Sequence, residues 1–526
     1  MALDYELGYV FEPKAAPAAW QAAVERPLAR FWHFARCTPL TASEADAWLA
    51  GQVALAAGGV GEIRPCISQN EHAAAVDRIK RLISDGDCYQ VNLTFPTDFS
   101  WFGSALALYA RLRAVQPVRY GGFVGHDREA IVSLSPELFL ERQGERLVTR
   151  PMKGTAARSK APEVLRTSAK DRAENLMIVD LLRNDLGRIA EPGSVTVDRL
   201  FDIEDYPTVW QMVSEISARI GLSSLADVLA ALFPCGSITG APKIRAMQII
   251  AELEFAPRGL YTGALGWLAP NGDFRLNVAI RTLELAADGR GKLGVGGGIV
   301  ADSVAEAEWQ ECLLKSQFLH RCDPGLKLIE TLRLEDGVYL RRALHLSRLQ
   351  HSAQCFGFKL DVAELSRQLE AQPTHGCWRV RLTLDKAGNL EVAAFPLVDL
   401  PETGHLARIA LQTIDSGSIL RRHKTTERQI YDTALASLSP DSAVFDVIFL
   451  NERGELAEGA RSNIFVERDG VLLTPPLSSG CLPGVLRAEL LAAGRAREAV
   501  LRPEDLAAGF WLGNSLRGLL RVELEQ

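Results

Sequence analysis

The sequence has no uninterrupted apolar run approaching the roughly 18 residues that suggest a membrane span, and Met1-Ala2-Leu3-Asp4-Tyr5-Glu6 lacks the basic start of a signal peptide. A soluble, cytoplasmic protein without a membrane partner is expected. Positive charge is also scarce: 58 Lys and Arg stand against 65 Asp and Glu, for a net charge of -7. Nonspecific nucleic-acid binding needs clustered Lys and Arg on one face. The main basic run, Arg421-Arg422-His423-Lys424, is short, so nucleic acid is not expected as a partner. The nine Cys are scattered, with no Cys-x-x-Cys pair and no Cys/His grouping at zinc spacing. That excludes a zinc knuckle and a disulfide framework and leaves reduced, mostly buried thiols. A Gly-x-Cys-x-Gly nucleophile segment is missing as well, so no glutaminase is encoded. Repeats and low-complexity tracts are absent, although the alanine-rich stretch from Ala15 to Ala23 reads as loosely ordered.

What is present is length and apolar content. The 526 residues, 47% hydrophobic, can bury substantial cores and exceed one ordinary domain. From Asn70 to Ile83, Val76, Ile79, Leu82 and Ile83 recur at helical spacing, and Gly86 ends the run before strand-like Tyr89 to Thr94. Further strands are expected at Ala130 to Leu134, Leu138 to Arg142 and Leu260 to Leu268, and helices at Arg172 to Leu186, Ser224 to Leu232 and Val304 to Leu319. The pattern is mixed α/β with much antiparallel sheet. Asp323-Pro324-Gly325 is turn chemistry that stops a helix, and a new strand pattern starts at Leu326. The boundary belongs there, giving domains 1–322 and 326–526.

Glu308 and Glu311 lie three apart and share a helical face, while Glu174 sits near the start of another helix. Each alone reads as solvated charge or as an anion favoured by the helix dipole. Brought together, three carboxylates would suit Mg2+. Gly294-Val295-Gly296-Gly297-Gly298-Ile299 lacks the last Gly of a dinucleotide fingerprint, and Gly236 to Lys243 lacks the Gly-Lys-Ser/Thr of a P-loop. Close backbone approach to an anion, with N–H groups and hydroxyls as donors, remains for both.

Seven blocks occur in the order found in chorismate-utilising enzymes: Leu134 to Glu137, Pro151 to Thr155, Asp171 to Asp185, Gly236 to Lys243, Ile280 to Thr282, Gly296 to Ile299 and Ala307 to Glu311. The first half resembles that family from about Pro65 to Arg321. The resemblance implies two antiparallel sheets packed as a sandwich with flanking helices, chorismate as substrate and Mg2+ as cofactor. Anthranilate synthase has Ala at the place of Lys153, whereas aminodeoxychorismate synthase carries a lysine nucleophile there, so Lys153 points to the second. A desolvated lysine can lose its proton and attack the chorismate ring, displacing the C4 hydroxyl before ammonia enters at C4. By the same resemblance Glu137 is general acid and base; its other reading is a loop carboxylate. Glu174 and Glu311 ligate Mg2+, Glu308 supports its water, and Ser237, Thr239, Arg281, Gly296, Gly297 and Lys315 hold substrate carboxylates. Two departures stand out. Gln211 replaces a His of many relatives and can only hydrogen-bond. The chain also starts late, near Gly8-Tyr9-Val10-Phe11, so part of the first sheet and any tryptophan-binding element are expected to be absent.

In the second half, Lys424 within its polar segment signals nothing alone, and Leu477 to Arg487 reads as a turn entering a helix whose N–H groups can hold phosphate. Taken in order, His345 to Leu349, His423 to Thr426, Leu456 to Phe465 and Leu482 to Arg487 resemble the fold-type-IV pyridoxal-phosphate enzymes from Leu326 to Gln526. That family contains branched-chain and D-amino-acid aminotransferases and aminodeoxychorismate lyase, and implies a two-domain α/β fold. Lys424 is then the lysine that joins pyridoxal 5'-phosphate, Glu458 the partner of the ring nitrogen, Arg348 a phosphate ligand, and Val485 and Leu486 backbone donors to phosphate. Lys424 would also take the Cα proton and assist loss of pyruvate. The usual opening strand and Asp-Gly turn before Ile329-Glu330-Thr331 are missing.

The motifs do not separate lyase from transaminase, but fusion to a synthase favours a lyase that consumes the synthase product. The expected function is therefore bifunctional p-aminobenzoate synthesis, with ammonia from a separate glutamine amidotransferase subunit and a homodimer formed through the second domain. Anthranilate synthase fused to an aminotransferase, and a cofactor-free second-half scaffold, are the competing readings.

Overall fold

Short polar residues start several of the helices. The structure is a computed structural model that describes residues 1–17, 26–53, 56–206, 209–398, 400, 404–439 and 442–525. Residues 18–23 of the alanine-rich stretch lie outside that set. Ser68 accepts from Glu71 N–H while the Glu71 carboxylate accepts from Ser68 N–H, a reciprocal capping box opening the helix Gln69–Ser84. Ser224 and Asp227 do the same for Leu225–Leu232, and the Ser168 hydroxyl accepts from Asp171 N–H to open Ala169–Gly187. The faces so aligned are apolar: Ile178, Val179, Leu182 and Leu186 are buried together with Phe139, Ile216 and Leu232.

The chain divides into two compact units. The first comprises Met1–Ala54, Ile63–Phe99 and Ala105–Cys322, and the second Leu55–Glu62, Ser100–Ser104 and Asp323–Gln526. Two short stretches from the first half of the sequence thus cluster with the second unit.

The first unit rests on sheets of nine and seven strands among the described residues. Ala2–Leu3 pairs antiparallel with Ala264–Leu268 and with Ala29–Arg30, and Ile131 of one sheet shares an apolar cluster with Leu265 of the other. Two expected elements differ. The expected strand 260–268 begins only at Ala264, because Thr262 adopts φ +60 and leaves the extended region. The single expected helix 304–319 is two, Ala305–Ser316 and Phe318–Arg321. There the Ser316 hydroxyl donates to Leu313 O at 2.8 Å, the local back-bonding by which serine competes with a helix ladder.

A buried ion pair ties the seven-stranded sheet to the loop at Ser237. Arg258 Nη2 donates to Glu254 Oε1 (2.7 Å) and Asn92 O (2.6 Å), and Nη1 donates to Ile238 O (3.2 Å). Thr94 N–H donates to the same Glu254 oxygen at 2.8 Å, and the guanidinium lies 4.5 Å from the Tyr5 ring centroid. The second unit holds a four-stranded antiparallel sheet, covered by the helices Arg342–Phe356 and Val362–Glu370, and an eight-stranded mixed sheet. In the mixed sheet Leu406–Ile409 runs parallel to Val444–Leu450. No helix among the described residues is long and apolar enough to cross a membrane.

Removing one member of a buried pair leaves the other charge uncompensated. Arg258→Met is expected to cost about 3 to 5 kcal/mol in denaturant unfolding, and the double variant with Glu254→Met less. A single-variant loss no greater than the double-variant loss would show that Glu254 is not held by Arg258.

Candidate active sites

Glu137 follows a turn locked by Ser135, whose Oγ donates to Val278 O at 2.6 Å. Its carboxyl is buried, 4% exposed, and accepts from Ser237 Oγ at 2.8 Å. Burial pushes its pKa up to about 7, against the lowering effects of Ser237 and Lys153. A carboxylic acid that keeps its proton near neutral pH can donate it to a leaving hydroxyl.

Lys153 lies on the strand Met152–Ala157. Its ammonium makes no hydrogen bond or ion pair among the described residues. Desolvation lowers its pKa most, followed by the Lys315 charge, while Glu137, Glu174 and Glu311 act in the opposite direction. Those influences place Lys153, Glu137, Glu174, Glu311 and Lys315 around one locus. Lys315 Nζ pairs with Glu311 Oε1 at 2.8 Å and donates to Gly296 O at 2.7 Å. A Cβ at Gly297 would stand 3.2 Å from Glu308 Oε2, and Glu308 Oε1 accepts from Ser303 Oγ at 2.7 Å. Glycine at 296 is forced by Leu93 O, 2.5 Å from where its Cβ would be. Arg281 holds φ +49. Its backbone oxygen accepts from Leu134 N–H at 3.0 Å, and its guanidinium, whose pKa desolvation lowers, makes no hydrogen bond or ion pair among the described residues. An uncompensated guanidinium suits a carboxylate.

Not every expected group is free. The Thr239 hydroxyl donates to Cys235 O at 2.8 Å and is fully buried, so it satisfies its own loop. The hydroxyls of the Gly236 to Lys243 segment were expected to serve an anion, and Ser237 faces Glu137 instead. Lys243 is buried against Asp185 Oδ2 at 2.6 Å, which explains a lysine at the end of this segment without a phosphate.

Carboxylates are the right donors for a hard cation, and of the three expected metal carboxylates Glu174 and Glu311 act electrostatically on Lys153. Glu308 and Glu311 are engaged by Ser303 and Lys315, and among the described residues no group of three His, Cys, Asp or Glu is close enough to hold a metal as it stands.

In the second unit, Lys424 is fixed where its carbonyl accepts from Ile329 N–H at 2.9 Å. It lines a cavity of about 880 Å³, with Arg348, Tyr431, Glu458, Val485 and Ser515. Burial first, then Arg348 and Arg428, lower the Lys424 pKa to about 8, opposed by Glu330 and Glu458. Glu458 Oε2 accepts from Leu482 N–H at 2.8 Å, and Oε1 accepts from the Tyr431 hydroxyl. Arg348 clasps Glu330 through Nε (2.8 Å) and Nη2 (2.7 Å) and reaches Pro483 O through Nη1 (3.1 Å). His345 bridges Glu330 (2.6 Å) and Ser515 (2.8 Å). The helix Val485–Ala492 has no side-chain cap on Gly484, and a Cβ at Gly484 would stand 1.9 Å from Asn463 Oδ1. Its first N–H groups are ordinary helix-terminal donors for an anion. Val485 lines the cavity, whereas the Leu486 side chain packs with Phe465 and Leu490.

A half-buried lysine, a buried carboxylate, an arginine and an uncapped helix start around one cavity fit the aldehyde, ring nitrogen and phosphate of pyridoxal phosphate. Glu330 and His345 stand inside the sequence blocks above without a role there, and no sequence pattern pointed to Tyr431 or Ser515. Only the His345-x-x-Arg348 spacing, three apart on a helix, hinted at a shared partner.

The chorismate binding enzyme family model matches residues 2–321, and the amino-transferase class IV model matches residues 327–524. Aminodeoxychorismate synthase component 1 of Klebsiella aerogenes is 43% identical over 290 residues, covering 53% of this chain and 64% of that protein. Its counterpart in Escherichia coli is 43% identical over 253 residues, covering 47% and 56%. The chain therefore spans less than two thirds of these relatives. A solved anthranilate synthase component I from Streptococcus pneumoniae is 34% identical with a TM-score of 0.47, over 49% of this chain and 59% of that one.

The folded state holds the Glu137 proton up to about 7, whereas the unfolded chain releases it in the ordinary range near about 4.3. Glu137 therefore withdraws stability as pH rises through that window. Difference infrared spectra of the native chain minus Glu137→Gln are expected to show a carboxyl stretch lost near about 7. Ser237→Ala, which removes a donor to the carboxylate, should move that loss upward. Titration in the ordinary glutamate range would refute the buried acid.

Proposed function

We propose, because the chain belongs to the chorismate binding enzyme family and its second half carries an amino-transferase class IV domain, that it makes p-aminobenzoate in two steps. The first unit aminates chorismate to 4-amino-4-deoxychorismate, and the second eliminates pyruvate from that product. The observation that carries this reading is Lys153, desolvated and without an ion pair among the described residues, in the electrostatic reach of a protonated Glu137.

In the first step the neutral Lys153 amine attacks the ring, forming an Nζ–C bond as the C4 hydroxyl leaves with the Glu137 proton. Ammonia then bonds to C4 and expels the lysine, and Glu137 recovers a proton as the new amine sheds one. Arg281 and Lys315 hold the substrate carboxylates, with the glycines at 296 and 297 allowing close approach. Glu174 and Glu311 would hold Mg2+ and Glu308 its water, where the cation would draw negative charge off the substrate.

In the second unit Lys424, Glu458, Arg348 and the N–H groups of Val485 and Leu486 would hold pyridoxal phosphate. When bound, that group supplies an electron sink for a carbanion next to nitrogen. Glu458, fixed by Tyr431 and Leu482, would stand as the partner of the ring nitrogen and favour its protonated form. Lys424, with its pKa at about 8, takes the Cα proton and returns it as pyruvate departs. Ammonia comes from a separate glutamine amidotransferase subunit, the second unit pairs with its copy, and the protein works in the cytoplasm.

With chorismate, Mg2+, ammonium and pyridoxal phosphate, the intact chain is expected to yield p-aminobenzoate and pyruvate. Lys424→Ala should stop at aminodeoxychorismate and Lys153→Ala before it. Anthranilate as the product would sink the synthase reading, and a stall of the intact chain at aminodeoxychorismate the lyase reading. Separately, Glu311→Gln should raise the Mg2+ needed for half-maximal amination by at least about tenfold; an unchanged Mg2+ dependence would remove Glu311 from the metal site.

A further inference from the structure

Lys153 does not sit on a regular strand. Along the pairing of Val209–Arg219 with Met152–Ala157, Gln211 stands opposite Thr155 and Val213 opposite Met152, with a register shift between. Lys153 and Gly154 therefore face the single residue Met212, which is a β-bulge. A bulge disrupts the ladder locally and re-aims a side chain. Gly154 carries φ +92, and a Cβ there would meet Asp171 Cβ at 3.0 Å, so the kink tolerates only glycine.

Two side-chain amides take up carbonyls at the bulge. Gln211 Nε2 donates to Gly154 O at 2.8 Å and its Oε1 accepts from Thr155 Oγ1 at 2.8 Å. Asn175 Nδ2, from the helix Ala169–Gly187, reaches Lys153 O at 3.5 Å. Asn175 is itself aimed by Ser214, whose Oγ donates to Asn175 Oδ1 at 2.6 Å and accepts from Phe201 N–H at 3.2 Å. Both amides are buried. Neither residue touches a reacting atom through these bonds; they act on the two successive peptide units either side of Gly154, Asn175 on the one that follows Lys153 and Gln211 on the one that follows Gly154.

We propose that Gln211 and Asn175 are positioning residues that clamp this bulge and thereby hold the Lys153 amine at its point of attack, with Gln211 acting as an N–H donor rather than as an acid or base. The proposal rests on Lys153 being the nucleophile. A glutamine has the needed geometry because one end donates to Gly154 while the other accepts from Thr155. Ionised glutamate at this place loses the donor, leucine loses both, and histidine keeps one donor and one acceptor. Misplacement of a reacting group by about 1 Å can cost on the order of 100-fold in rate.

The test uses the full chain with ammonium and chorismate, and in parallel the rate at which Lys153 reacts with a small amine-directed reagent at one fixed pH, measured by peptide mapping. Gln211→Leu and Gln211→Glu are expected to lower kcat for amination on the order of 10- to 100-fold with KM for chorismate little changed. Both should also change the labelling rate at Lys153 while labelling at surface lysines stays the same. Gln211→His should recover most of both. Wild-type kcat and Lys153 labelling in either the Leu or the Glu variant would overturn the clamp, as would an equal loss in all three variants. If Lys153→Ala still aminates chorismate, the nucleophile reading fails, and Lys153 labelling across the Gln211 series still decides the clamp on its own.

Discussion

An amine that acts as nucleophile or base must part with its proton near neutral pH, and water and carboxylates both oppose that. In each half of this chain a lysine is desolvated, and several of the acids beside it are engaged by other groups. Around Lys153, Glu311 is held by Lys315 and Glu137 accepts from Ser237. Around Lys424, Glu330 is clasped by Arg348 and His345, and Glu458 is bound by Tyr431 and the Leu482 N–H. The acids still exert a field, but among the described residues none forms an ion pair with either lysine. The bulge, the loop at Ser237 and the arginine at 348 make sense as means to that end.

Burial alone does not fix the protonation of a carboxyl. Glu137 and Glu330 are equally inaccessible to water, yet the first is raised to about 7 and the second lowered to about 2. Glu137 meets one hydroxyl and a distant ammonium, too little to repay the lost hydration of the anion. Glu330 meets a bidentate guanidinium and an imidazole, which together exceed that cost. The first carboxyl is thereby equipped to release a proton, and the second to anchor an arginine permanently as an anion.

Candidate site residues could be picked out in the sequence by residue type and family resemblance. Lys153, Glu137, Glu174, Glu311 and Lys315 lie up to 178 positions apart, from 137 to 315, and the fold gathers them. Helix starts were legible because Ser, Asp and Glu at the caps follow local rules, as at Ser68 and Ser224. What stayed hidden depends on partners distant in sequence. No local pattern separates the Thr239 hydroxyl, turned toward Cys235 O, from that of Ser237, turned toward Glu137. Likewise Lys243 resembles an anion ligand until Asp185 is seen beside it. The interruption at Gln317 and the φ of Thr262 are decisions of backbone geometry that hydrophobic spacing does not record. The bulge at Lys153 and Gly154 exists only once a second strand is laid against the first.

The second unit is assembled from three stretches of chain, because Leu55–Glu62 and Ser100–Ser104 cluster with Asp323–Gln526. Phe102, from one of the early stretches, is 5% exposed and belongs to the apolar cluster of Leu328, Phe356 and Ile419. Gly59 and Gly61, from the other, are held to glycine by Phe102, Pro324 and Cys355 at 2.6 to 3.0 Å from their absent Cβ atoms. A piece cut out at residue 322 would therefore leave behind part of the second unit's own core, and a transplantable module needs residues 55–62 and 100–104 supplied along with it.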